Sequence, residues 1–241
     1  MHFWLSRCGF SRKKQRCARG LVGRPAVIII GSLFPSAAAR LLRGSASLLS
    51  PRRCCAMAGA ISDRLVWIDL EMTGLDPERD QILEAACVVT DGRLQPLEPG
   101  LQLVVHQPDS ALAAMDEWCR EHHGRSGLTE AVRRSTVDLA TAEQRLLEYV
   151  RRLTPAGQCP LAGSSVHMDR VFLMRYMPRL LAHLHYRIVD VSSLKELARR
   201  WRPDVYEAGR GKLCAHRALE DIGESIAELR LYRDRFIKTE A

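Results

Sequence analysis

The first 56 residues of this 241-residue chain contain no aspartate and no glutamate. They carry eleven basic residues: Arg7, Arg12, Lys13, Lys14, Arg16, Arg19, Arg24, Arg40, Arg43, Arg52 and Arg53. That imbalance excludes reading the net charge of +8 as a property of the whole molecule. Removing those eleven from the 36 lysines and arginines leaves 25 against 28 acids, or about −3, for the rest of the chain. Net charge therefore gives no argument for a basic binding face. Long apolar runs are also missing. The longest in the leader, residues 26–34, falls far short of the roughly 20 residues of a membrane-spanning helix. Paired cysteines are missing beyond the leader: Cys87, Cys119, Cys159 and Cys214 are scattered with no C-x-x-C spacing. This favours reduced, mostly buried thiols over a disulfide framework or a zinc site. No internal repeat is visible.

What the leader does have is arginine, serine and alanine without acid, the composition of a mitochondrial targeting segment. Residues 1–56 are accordingly expected to be disordered or cleaved, with the protein in the matrix or intermembrane space. A secretory signal is the competing reading, because basic residues precede the apolar run. That run starts late, however, and basic residues continue after it. A start at Met57 would remove the leader and leave a cytosolic or nuclear form.

Residues 63–238 read as one α/β domain. Leu65–Met72, 81–90 and 101–107 alternate or run apolar and are joined by short Gly/Pro/Asp turns, which predicts three strands in an antiparallel meander. Helices are expected at about 110–122, 126–134 and 138–153. A short buried strand follows at 159–163, then a helical stretch over 168–185 interrupted at Pro178. A fifth strand at 186–191 precedes helices at 192–201 and 215–238. Residues 202–214, with proline, two glycines and several charges, read as a mobile loop. The sum is a five-stranded mixed sheet flanked by helices.

Asp69 and Glu71 end the first strand and alternate with apolar neighbours, so they point to one face together with Leu65 and Trp67. Two acids continuing a core-facing row are costly unless a cation neutralises them. Hard divalent ions take oxygen ligands of this kind. A strand end reaching solvent would also account for an isolated Asp-x-Glu. Asp169 shares a helical face with Phe172, Leu173 and Tyr176, and a helix cap is its simpler reading. Asp221 flanks the stripe Leu219, Ile222, Ile226 and Leu229, with the small residues Ala218 and Ser225 a turn away on either side. The nearby Glu220, Glu224 and Glu228 read as surface charge. His216 lies five positions before Asp221, a divergence of about 140° on one helix. It can therefore reach the same site only from the preceding loop or first turn. A mobile loop histidine with an ordinary pKa near 6.5 suits a general base.

These residues in this order resemble the DEDD exonuclease superfamily in its histidine-containing branch, and within it the oligoribonuclease family of small-RNA exonucleases. The resemblance runs from about residue 64 to 237. It rests on Trp67-Ile68-Asp69-Leu70-Glu71-Met72-Thr73-Gly74-Leu75, Trp118-Cys119-Arg120-Glu121-His122-His123-Gly124, Cys159-Pro160-Leu161-Ala162-Gly163, the segment from His185 to Ser192, the segment from Lys195 to Trp201, and His216-Arg217-Ala218-Leu219-Glu220-Asp221-Ile222. It implies a ribonuclease H-like fold. It also implies that Asp69, Glu71, Asp169 and Asp221 bind two Mg²⁺ or Mn²⁺ ions, with His216 as the general base. The implied reaction removes 5′-mononucleotides from the 3′ end of short single-stranded RNA, or DNA, oligonucleotides, dinucleotides especially. Leu75 would wedge between the last two bases, and Trp118 and His123 would line the 3′ nucleotide. Ser165, Arg187 and Ser192 would cap a dinucleotide's 5′ phosphate, and Tyr186 would reach a base from the partner subunit of a homodimer. No membrane partner is implied. Ser164 departs from the family's usual Asn, Met168 from its acidic or polar residue, and Glu220 from its usual Asp. The competing functions are a DNA-proofreading or tRNA-trimming relative acting on longer strands, and a non-catalytic nucleic-acid-binding protein on the same fold.

Overall fold

Leu65–Met72 (β1) is buried along almost its whole length because it is the central strand of the sheet. A computed structural model describes residues 62–209 and 217–237. β1 pairs antiparallel with Ile82–Thr90 (β2), which pairs antiparallel with Leu101–Val104 (β3). On its other side β1 pairs parallel with Pro160–Gly163 (β4), which pairs parallel with His185–Asp190 (β5). The order is β3-β2-β1-β4-β5, a five-stranded mixed sheet with β3 and β5 at its edges. The antiparallel meander follows from the short turns. The parallel strands need helical crossovers, and the helix-rich half of the chain supplies them.

Strand alternation sorts the core into two layers. Val66, Ile68, Leu70 and Met72 of β1 pack with helices α4 (Leu139–Leu153), α5 (His167–Tyr176) and α6 (Pro178–His183). Trp67, Ala86, Val88 and Ala162 face the opposite way. They pack with α7 (Val191–Trp201), α8 (Pro203–Ala208) and α9 (Ala218–Arg235). A smaller cluster forms where α1 (Asp109–Ala113), α2 (Glu117–Arg125) and α3 (Leu128–Arg134) cover Leu83.

The differences from the sequence expectation have local causes. The helix expected over 110–122 is two helices: the first ends at Ala113, and Asp116, in an extended conformation, caps the second, its Oδ1 accepting the Cys119 N–H at 2.7 Å. The loop expected over 202–214 begins with α8: Pro203 sits in its first turn, where a missing N–H costs nothing. Pro178 likewise opens α6 and divides it from α5. β3 stops at Val104. Glu228 is buried rather than surface charge, accepting the Tyr232 hydroxyl at 2.7 Å and lying 3.5 Å from Lys195 Nζ. Cys87, Cys119 and Cys159 are free and buried, while Cys214 lies outside the described residues, as do the leader and Met57. Among the described residues no helix is long and apolar enough to cross a membrane.

Candidate active site

The β1–β4 ladder covers only Val66 and Trp67, so the acidic end of β1 runs on past β4. There a side chain takes over from the missing strand: Asp169 Oδ1 accepts the Leu70 N–H at 2.9 Å. Asp169 comes from the first turn of α5, which starts directly beyond the C-terminal end of β4. Its carboxylate is thereby fixed between Asp69 and Glu71 along the strand. The β1–β2 register shifts between Glu71 and Met72, an irregularity that re-aims the chain at the strand's end.

Asp69 and Glu71 are only 6% and 8% exposed, which removes the solvent-reaching explanation for the pair. They lie on the Trp67 face, which α9 covers. Asp221, in the first turn of α9, is half-buried and points to the same place. One carboxylate oxygen from each of Asp69, Glu71 and Asp221 lies within 4.8 Å of the others. Three like charges this close and this dry favour either protonation or a cation. An all-oxygen carboxylate set fits a hard divalent ion, which these three residues would hold. The cluster therefore suits divalent-metal use. His216 lies outside the described residues; its neighbour Arg217 is described.

Two acids that the sequence reading passed over build this site from behind. Glu84 on β2 stands directly opposite Glu71 and is fully buried. It accepts hydrogen bonds from Arg217 Nη2 at 2.9 Å, from the Ala218 N–H at 3.1 Å and from Gln102 Nε2 at 2.8 Å. It thus holds the first turn of α9, and with it Asp221, against the sheet. An acid inside an otherwise apolar nine-residue strand was the available signal. Asp80 closes the turn after β1: its carboxylate accepts the Thr73 hydroxyl at 2.9 Å and the Asp76 N–H at 2.8 Å.

The other expected residues surround the cluster. Leu75 is half-buried against the α4–α6 layer. Trp118 is half-buried on α2 and stacks on His122, ring centroids 3.8 Å apart. His123 is buried, and its Nε2–H donates to the Met72 carbonyl at 2.9 Å. Its Nδ1 lies 4.0 Å from Glu71, and burial holds the imidazole below its ordinary pKa. Ser165 and Ser192 are brought together, hydroxyl to hydroxyl at 3.0 Å. Arg187 and Tyr186 stand exposed on β5, the guanidinium carbon 5.5 Å from the tyrosine ring centroid. Among the described residues Arg187 makes no hydrogen bond to either serine. Ser164 turns to α9, its hydroxyl 2.8 Å from that of Ser225.

Residues 66–229 match the family profile described as RNase T, exonuclease. The chain is 51% identical over 212 residues to "Oligoribonuclease, mitochondrial" of Bos taurus, covering 84% of this chain and 90% of that protein. It is 56% identical over 176 residues to "Oligoribonuclease" of Marinobacter nauticus, covering 73% of this chain and 97% of that one. The chain belongs to the oligoribonuclease family of exonucleases. Its fold is similar to a solved Exonuclease I from Methylocaldum szegediense, at TM-score 0.55 and 24% identity over 71% of this chain. This chain spans 40% of that one, and the likeness concerns the ribonuclease H-like fold alone. Within an oligoribonuclease-family chain, the acid cluster at the end of β1 stands where two elements distant in sequence, β1 and α9, converge.

Proposed function

We propose that this chain is a 3′-to-5′ exoribonuclease that degrades short single-stranded oligonucleotides, dinucleotides above all, to 5′-mononucleotides. The observation that carries the reading is the convergence of Asp69, Glu71 and Asp221 within 4.8 Å in a chain of this family. These three and Asp169 would hold two Mg²⁺ or Mn²⁺ ions. Such ions, when bound, acidify the attacking water and stabilise charge on the leaving 3′ oxygen. The chain's own residues do the rest. His216 takes a proton from the water. Leu75 separates the last two bases, and Trp118 gives the 3′ base a stacking surface, a contact of about 1–3 kcal/mol. Ser165, Ser192 and Arg187 close on the 5′ phosphate and leave no room for a longer chain, Arg187 leaving the Tyr186 ring to do so. Tyr186 and Ile188 lie exposed on an edge strand, which suits a homodimer in which Tyr186 reaches the partner's substrate.

Residues 63–238 form the exonuclease domain. The acid-free leader, together with relatives named as mitochondrial, supports a mitochondrial location, in matrix or intermembrane space, with Met57 starting a second form outside it.

A labelled dinucleotide with Mn²⁺ tests the activity. Release of mononucleotide is expected, with long single strands cut far more slowly. No release from clean protein would leave a binding protein on a nuclease fold. Equal cutting of both lengths would remove the cap and favour a proofreading or trimming enzyme.

A further inference from the structure

We propose that Asp190 is the positioning residue of the phosphate cap, setting the enzyme's selectivity for 5′-phosphorylated dinucleotides without touching the substrate. The inference rests on the reading of Ser165 and Ser192 as that cap. Asp190 ends β5, directly across from Gly163 at the end of β4. From there its Oδ1 accepts two backbone N–H groups, Ser165 at 2.9 Å and Ser192 at 2.9 Å. The second bond is ordinary capping of α7. The first reaches a loop 25 residues earlier and is not needed for any helix.

Its effect is visible in the backbone. Ser165 has φ +55°, a left-handed conformation that non-glycine residues rarely adopt. Residues are held there only when their surroundings over-determine them, and such positions gather at ligand sites. One carboxylate oxygen pins both serines, and their hydroxyls meet at 3.0 Å as a consequence. Two hydroxyls in mutual contact use one proton between them and keep one for an outside acceptor. A phosphate oxygen is such an acceptor. A carboxylate is not a phosphate ligand, because like charges repel. Asp190 Oδ1 instead spends its charge on the two N–H groups, and Oδ2 lies 3.4 Å from His167 Nδ1.

The acceptor geometry, not the negative charge, is what the cap requires. An asparagine at this position can offer the same carbonyl oxygen to both N–H groups; an alanine cannot. The measurement is the kcat/KM ratio between a 5′-phosphorylated dinucleotide and the same dinucleotide with a 5′ hydroxyl, for wild type, Asp190→Ala and Asp190→Asn. Wild type prefers the phosphorylated form. Asp190→Ala reduces that preference by about tenfold or more, with the loss concentrated in KM. Asp190→Asn retains most of it. A general loosening of the fold would slow both substrates in proportion and leave the ratio untouched. Two variant results overturn the proposal: a wild-type ratio in Asp190→Ala, or a loss in Asp190→Asn as complete as in Asp190→Ala. Absence of any preference in the wild type is a different failure. It removes the cap itself, and Asp190's role with it.

Discussion

Glu71 on β1 stands directly opposite Glu84 on β2, so two buried carboxylates share one face of the sheet with different fates. Glu71 joins Asp69 and Asp221, whereas Glu84 is neutralised by Arg217 and holds the start of α9. Replacing either should therefore move stability in opposite directions. Glu84→Ala leaves a guanidinium, a helix N–H and an amide without their acceptor. It should cost about 2–3 kcal/mol, less than a fully buried pair because Arg217 is partly solvated. Glu71→Gln relieves repulsion in metal-free protein and should leave it as stable as wild type or more so, while abolishing turnover. Urea denaturation of both variants in chelator checks the pair of signs. A destabilised Glu71→Gln would show that the cluster is not strained by its own charge.

Metal binding should be readable as stability. A divalent ion bound only by the folded state at a hundred times its Kd adds about 2.7 kcal/mol. For a domain of this size that raises Tm by roughly 5–10 °C. Mn²⁺ should produce such a shift in wild type and EDTA should reverse it. Asp69→Asn should lose most of it together with activity. A full shift in that variant would place the ion elsewhere.

Much of this site is legible in the sequence, and the reasons are local. Period-two alternation through Leu65–Met72 puts Asp69 and Glu71 on one face whatever the rest of the chain does. Helical spacing places Asp221 beside its apolar stripe in the same way. Glu84 stands out as an acid in an apolar strand, but its role was illegible because it depends on Arg217, 133 residues away. Asp190 looks like any cap until Ser165 arrives from another loop. Asp116 and Pro203 misled for another reason: each residue type can interrupt a helix or begin one, and only packing decides which.

The thiols give a check on the packing around α2. Burial, and then Asp116 beside it, pushes the Cys119 thiol up to about 12. Burial raises Cys87 and Cys159 as well. A raised thiol pKa lowers the thiolate fraction, and for Cys119 at pH 8 that fraction is on the order of one in ten thousand. Iodoacetamide at pH 8 should therefore spare all three in native protein and label all three after unfolding, as read by peptide mass spectrometry. Rapid native labelling of Cys119 would mean that α2 opens from the core.

The turn that carries Leu75 is built to be stiff, and its stiffness should matter to catalysis. Asp80 ties Thr73 and Asp76 together, and the Tyr176 hydroxyl donates to the Asp80 carbonyl at 2.7 Å, bolting the turn to the helix that bears Asp169. Gly74 leaves no room for a side chain: an added Cβ would land on the Asp80 carboxylate, with Oδ1 2.8 Å away. Gly74→Ala must push that carboxylate out and loosen both of its bonds, at a stability cost of about 1–3 kcal/mol. If Leu75 orders the last base step, the displaced wedge should lower kcat/KM on dinucleotides about tenfold or more, because small misplacements of a positioning group are expensive at the reacting centre. Tyr176→Phe removes the bolt without a clash and should give a smaller loss in the same direction. Dinucleotide kinetics beside thermal melts separate the two effects: a destabilised Gly74→Ala with wild-type kinetics would show that Leu75 does not need the rigid turn to do its work.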